Sequence, residues 1–179
     1  LSSVDLIGAN LEEANLSNST LSNTNLSGAN LAGATLTNVD FTQSVTLTAV
    51  ILNKATLIGA NLAGVTLSGA LLEKANLNGA NLTGASMDGA NLTEATLQGA
   101  ILDNANLLGT TLDRATLRGA SLVQARLSGI SLNNAIISGA NMEGADLTGT
   151  TLLTTRAGGA NLANAILDSV NSQGARLAG

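Results

Sequence analysis

Residues 75 to 85, ANLNGANLTGA, contain two copies of one five-residue unit. Each copy reads small apolar residue, polar residue, Leu, any residue, Gly. The unit runs the length of the chain, and a fixed short repeat constrains a fold more than composition does. With Leu placed in slot three, that slot falls at Leu1, Leu6 and every fifth residue to Phe41. It resumes at Leu47, after one extra residue, and continues to Leu177. Of these 36 positions, 30 are Leu, and Phe41, Met87, Ile137 and Met142 are also bulky and apolar. Slot one is Ala in 23 of 35 units, and 19 of the 20 glycines sit in slot five.

A period of five excludes an amphipathic helix. Five residues turn an α-helix by about 500°, so successive leucines would share no face. Strand alternation fits instead. Slots one and three point the same way and slot two the opposite way. Slots four and five then make a corner, with Gly in slot five where a type II turn needs positive φ. Each unit is therefore a very short strand and a corner, with Ala and Leu inward and the other slots outward. The 45% hydrophobic content, held in strict period, predicts a packed core and not a disordered chain.

These residues resemble the pentapeptide-repeat proteins, whose unit is Ala, Asp or Asn, Leu and two variable residues. The resemblance covers all 36 units. It implies an all-β fold, a right-handed quadrilateral parallel β-helix with four units per coil, hence about nine coils. The extra residue predicts a small bulge near residues 42–46, beside Phe41, the one aromatic residue. The expectation is a single β-helix domain over residues 1–179. The repeat is already running at Leu1, so the domain reads as part of a longer chain with caps outside it, or as one that associates end to end.

Four units per coil place every twentieth residue on one side of the prism. By its slot-five residues, the first side runs from Asn18 and Asn38 through Gly59 to Gly179. The second runs from Gly8 to Ser169, the third from Ser3 through Gln43 to Asn164, and the fourth from Glu13 to Gly174. The first two sides are rich in Gly at this slot, and the fourth carries Lys54, Lys74, Glu94 and Arg114 there. That sorting predicts type II corners on the first two sides, with positive φ at Gly99 and Gly119, and a looser turn on the fourth, where Lys74 and Glu94 need no positive φ.

Outward chemistry is sparse. The chain has no His, Cys, Trp, Tyr or Pro. A nucleophile therefore lacks an imidazole base, and no Cys or His is available for zinc. Carboxylate pairs such as Glu12 and Glu13 read as solvated charges on a convex prism. No catalytic residue, cofactor site or metal site is expected, and the chain reads as a non-enzyme. No stretch reaches the roughly 18 apolar residues of a membrane span, no signal-peptide pattern is present, and no compartment is read. The net charge of −5 divides by side. The first side holds Arg118, Arg156 and Arg176 with no acid. The second holds Asp5, Asp88, Asp146 and Asp168 against Arg126. The third holds Asp40, Asp103 and Glu143. The fourth holds five acids and three bases.

These features point to a non-catalytic structural or protein-interaction module with an unidentified protein partner. Its expected partner surface is on the fourth side, where outward Ile51 and Leu71 stack beside Lys74, Glu94 and Arg114. Asp40, Asp88, Asp103, Glu143 and Asp146 form its acidic faces. The resemblance supplies an alternative, a DNA mimic that binds or inhibits DNA gyrase. Charge argues against it: −5 over nine coils is less than one per coil, whereas about 4.8 Å of B-DNA carries close to three. The acidic balance also argues against direct nucleic-acid binding. A lower alternative is an ice- or lattice-binding array of Thr35, Thr56, Thr96 and Thr116, interrupted by Asn76, Ile136 and Arg156.

Overall fold

The computed structural model describes residues 1–177 and contains no helix among them. The chain winds as a four-sided parallel β-helix in which short bridges join the sides of successive coils, Thr46 and Thr66 being the pair left unbridged among the described residues, and the corners are two-residue turns but for one. Bridges join residues 20 apart, as in Thr20 with Asp40 and Ile51 with Leu71. Asp40 and Asn61 are 21 apart, which places the extra residue between residue 40 and the bridge at Thr46. There the corner holds three turn residues, Thr42 to Ser44. Ser44, not Gln43, takes the positive φ of that corner, at 55°.

One unit shows how the repeat satisfies its backbone. The Asn81 N–H donates to Ala60 O in the coil before, at 2.9 Å. The Leu82 N–H donates to Ile101 O in the coil after, at 2.6 Å, and the Gly84 N–H to Asp103 O at 2.8 Å. The next slot-one N–H, on Ala85, closes the corner onto Leu82 O at 3.0 Å. Only the slot-four N–H of Thr83 lacks a backbone acceptor, and Asn81 Oδ1 accepts it at 3.1 Å. This is the physical reason for Asn or Asp in slot two. The short side chain bonds the backbone two residues on, as in an Asx turn. Asp5, Asn10, Asn15, Asn25 and Asn30 repeat the bond in the first coils.

The core is a column of leucines with alanines at the corners, buried without interruption from Leu21 to Leu147. Phe41 is 1% exposed and fills the wall beside the three-residue corner. Four slot-one threonines, Thr24, Thr110, Thr150 and Thr155, point inward among these apolar residues. Each donates its hydroxyl to a carbonyl of the preceding coil, as Thr110 does to Met87 O at 2.9 Å and Thr150 to Leu127 O at 2.7 Å. No buried side-chain polar atom of the described residues lacks a partner, so these hydroxyls add no desolvation penalty to the core. The ladder continues through Ala157, whose N–H reaches Arg176 O at 2.8 Å.

The corners correct one expectation. Lys74 and Glu94 have φ of 60° and 59°, against 65° at Gly99 and 64° at Gly119. Lys54, Arg114, Asn134 and Thr154 on the same side are also positive. The fourth-side turn is therefore the same as the others. Slot-five φ is positive and the turn closes by the same slot-three C=O to slot-one N–H bond, and of the standard turns type II has positive φ at that position alone. The reason is geometric. A corner of two residues between bridged strands turns the chain only with its second residue left-handed, whatever that residue is. A non-glycine residue tolerates the conformation at about 1–2 kcal/mol. Space does not reserve most glycines of the first side: a Cβ at Gly99 or Gly119 would meet nothing within 4 Å, whereas one at Gly59 would meet Asn38 Oδ1 at 2.7 Å.

Shared corner geometry sets the sensitivity of both positions. Val at Gly119 should lower stability by roughly 1–3 kcal/mol, because it takes on the full left-handed cost and β-branching adds to it. Val at Lys54 should lower it by less, because lysine there already bears about 1–2 kcal/mol of that cost. Thermal melts of K54V and G119V measure this, and a fall in K54V as large as that in G119V would show that Lys54 bears no such cost.

Candidate functional site: the fourth side and its neighbours

The vertical register decides which outward side chains meet, because residues 20 apart sit on adjacent rungs. On the fourth side Ile51 bridges Leu71, and Leu71 bridges Asn91. Leu71 is 39% exposed, whereas Ile51 is partly covered. Beside them, in slot five, stand Lys74, Glu94 and Arg114. Lys74 Nζ lies 3.0 Å from Glu73 Oε1 and 3.7 Å from Glu94 Oε2, and Arg114 Nη1 lies 3.2 Å from Glu94 Oε1. The hydrogen bond from Lys74 to Glu73, and then the charge of Glu94, hold the Lys74 ammonium above its usual pKa. All five expected partner-surface residues thus belong to one face. Its slot-two pair is apolar and its corner column is a cross-linked ion ladder.

Higher on the same side, Ala32 and Gly33 leave a depression of about 430 Å³ between Glu12 and Glu13 on one edge and Asn53, Lys54, Glu73 and Lys74 on the other. In some units whose slot two is not Asn or Asp, a slot-four Asn or Asp from the preceding coil takes over the orphan N–H. Asn53 Oδ1 accepts from Glu73 N at 2.9 Å, and Asp113 Oδ1 from Asn133 N at 3.1 Å. Sequence reasoning missed this role, and the signal for it was an Asn or Asp in slot four above a unit lacking one in slot two.

The acidic residues do not converge. Asp103 and Glu143 share a column of the third side with Val123 between them, and Asp40 lies on an earlier coil. Asp103 accepts from Ser121 Oγ at 2.5 Å and Val123 N at 3.0 Å, so it is engaged in the wall. On the second side Asp88 accepts hydroxyls from Ser68 at 2.7 Å and Ser86 at 2.8 Å, which hold its carboxyl below the usual range. Ser128 and then Thr148 do the same for Asp146, and Thr42 does so for Asp40. Asp146 is bridged to Arg126 one coil earlier. The threonines of the first side form a broken column: Thr35 and Thr56 are bridged, Asn76 follows, Thr96 and Thr116 are bridged, and Ile136 and Arg156 end it. Among the described residues no group of three or more His, Cys, Asp or Glu could hold a metal ion. No helix among them is long and apolar enough to cross a membrane.

The family model for pentapeptide repeats matches segments between residues 5 and 152. The chain belongs to the pentapeptide-repeat family. Its fold is accordingly the right-handed quadrilateral β-helix of that family. Among solved structures it is similar to HetL, a pentapeptide-repeat protein involved in heterocyst differentiation regulation from the cyanobacterium Nostoc sp. strain PCC 7120. The identity is 33%, over 99% of this chain and 86% of HetL, with a TM-score of 0.53. It is also similar to QnrB1, a plasmid-mediated fluoroquinolone resistance protein, at 20% identity over 99% of this chain and 90% of that one, with a TM-score of 0.53. The second likeness speaks to fold alone. No curated protein sequence matches the chain.

The depressed carboxyls predict the sign of the acid response. A carboxyl whose folded pKa is lowered contributes stability that is complete above its unfolded value, near 4, and is lost as pH falls through the folded value. Melting temperature should therefore drop below about pH 4. It should drop less steeply in a D88N/D146N variant, and equal slopes for the two proteins would show that the serine and threonine contacts do not hold these carboxylates.

Proposed function

We propose that this pentapeptide-repeat protein is a non-catalytic recognition scaffold whose fourth side docks a protein partner. The observation that carries the reading is the registered face. Ile51 and Leu71 stand on adjacent rungs, and the Lys74–Glu94–Arg114 ladder beside them is tied by 3.2 and 3.7 Å contacts. An apolar pair rimmed by pre-ordered charges is the usual anatomy of a protein contact. The backbone ladder holds these side chains in fixed relative positions, so little ordering accompanies binding. HetL, a 33% identical relative, is involved in heterocyst differentiation regulation, which is in keeping with a regulatory and not a catalytic reading. Charge density weighs against the gyrase reading, and the engagement of Asp103 in the wall weighs against it further.

A photo-reactive residue at Leu71 tests the surface in the cells that produce the protein, with Ile101 on the opposite side as control. Discrete protein adducts are expected from position 71 and not from 101; adducts at neither, or equally at both, would remove the fourth side as the docking face. DNA supercoiling by gyrase should continue unchanged at low micromolar protein. Inhibition abolished by D103N/E143Q would replace this reading with the gyrase one.

A further inference from the structure

The register of 20 stacks outward charges in columns. Lys74, Glu94 and Arg114 alternate in sign down theirs and are tied by ion pairs, and Arg126 stands one rung before Asp146, whose carboxyl feels its charge. Lys54 and Lys74 are like-charged neighbours, but Glu73 and Glu94 offset the second of them. Arg156 and Arg176 occupy bridged positions on the first side, one strand spacing, about 4.8 Å, apart. Neither lies within salt-bridge distance of a carboxylate of the described residues, and the first side carries no acid anywhere. Like charges facing each other across a bridge destabilise a sheet. This pair therefore stands uncompensated where the fold could have stacked Arg on Asp.

The two arginines form one wall of a groove of about 390 Å³, which Asn134, Ile136, Thr154 and Gly174 complete. Gly174 keeps the groove open, since a Cβ there would come within 3.3 Å of Thr154 Cγ2. Thr154 Oγ1 lies 2.7 Å from the Asn134 side-chain amide and 2.6 Å from Leu153 O, so Thr154 and Asn134 are tied to each other on the floor of the groove. The charged lining is thus two guanidinium forks, with no acid. Guanidinium forks match tetrahedral oxyanions by paired N–H to oxygen bonds.

We propose that this groove binds a phosphate-class oxyanion, free or as the terminal group of a small phosphate ester, between Arg156 and Arg176. The anion supplies the negative charge that the column lacks, and the volume admits a small ester and not a packed protein segment. Direct contact with both forks makes the site depend on each arginine. Arg118, on the same side but two coils earlier, raises the local potential without touching the ligand.

The test is an NMR titration of arginine Nε–H resonances with pyrophosphate, phosphate and glycerol phosphate, at ionic strength held constant with chloride. Saturable shifts confined to Arg156 and Arg176 are expected. R156Q or R176Q should weaken binding at least about tenfold, since a charged hydrogen-bonding partner is lost. R118Q should weaken it far less than either, since only a distant charge is lost. R176K, which keeps the charge but not the fork, guards against a variant that fails to fold and should also bind more weakly. Response to the inorganic ions but not to the ester would limit the ligand to free phosphate and still support the site. Equal shifts with chloride, equal weakening by R118Q, or response only to a DNA oligonucleotide would each overturn the proposal.

Discussion

Everything in this molecule depends on backbone hydrogen bonds between coils in a register of 20 residues. Most units send their slot-two N–H backward and their slot-three and slot-five N–H groups forward along the axis. Among the described residues there is no helix and no long strand, so this ladder carries their regular structure. It stacks leucine on leucine and alanine on alanine, so the core is buried because the register is exact. The insertion near Ser44 shows how locally an error is absorbed. One corner gains a residue, the bridge spacing becomes 21 for that coil, the bridge between Thr46 and Thr66 is lost, and the register of 20 resumes at Ile51 with Leu71.

The corner is the second constraint, and it imposes a cost that the rest of the unit offsets. Seventeen non-glycine residues hold left-handed φ between 53° and 61°, a conformation that L-residues adopt reluctantly. Asn is the commonest among them, consistent with its tolerance of this region. Thr154 is the one β-branched member. The corner persists because the ladder holds both flanking strands and because Asn or Asp in slot two satisfies the N–H that the turn strands. Slot two, read as simply outward and polar, is a structural position in units that carry Asn or Asp there. In units that do not, it is released for Ile51, Leu71, Arg156 and Arg176.

A surface built this way is read in columns. Charge pairing follows from 20-residue arithmetic, and so do its failures. The Lys74–Glu94–Arg114 column is locked by its own contacts and frames an apolar pair. The Arg156–Arg176 pair has no such counter-charge and leaves donors free. The two features lie on adjacent sides, toward opposite ends of the prism, and call for different chemistry: protein contact at the first, a small anion at the second.

The five-residue period by itself determined the strand-and-corner unit, the inward leucines and alanines and the place of the extra residue. The reason is that alternation and corner length are local properties of the backbone. Twenty-residue sorting also brought Ile51 to Leu71 and Lys74 to Glu94 in prospect. The corner conformation at Lys74 and Glu94 was misread, because residue identity was taken to report the turn, whereas closure of the coil dictates it. Only the tertiary structure decided the bonding of the slot-four N–H, the inward threonine hydroxyls, the serine contacts of Asp88 and Asp146, and the groove beside Arg156. Each of these depends on which atoms of neighbouring coils come within about 3 Å, a distance that a repeat pattern orders by column but does not measure.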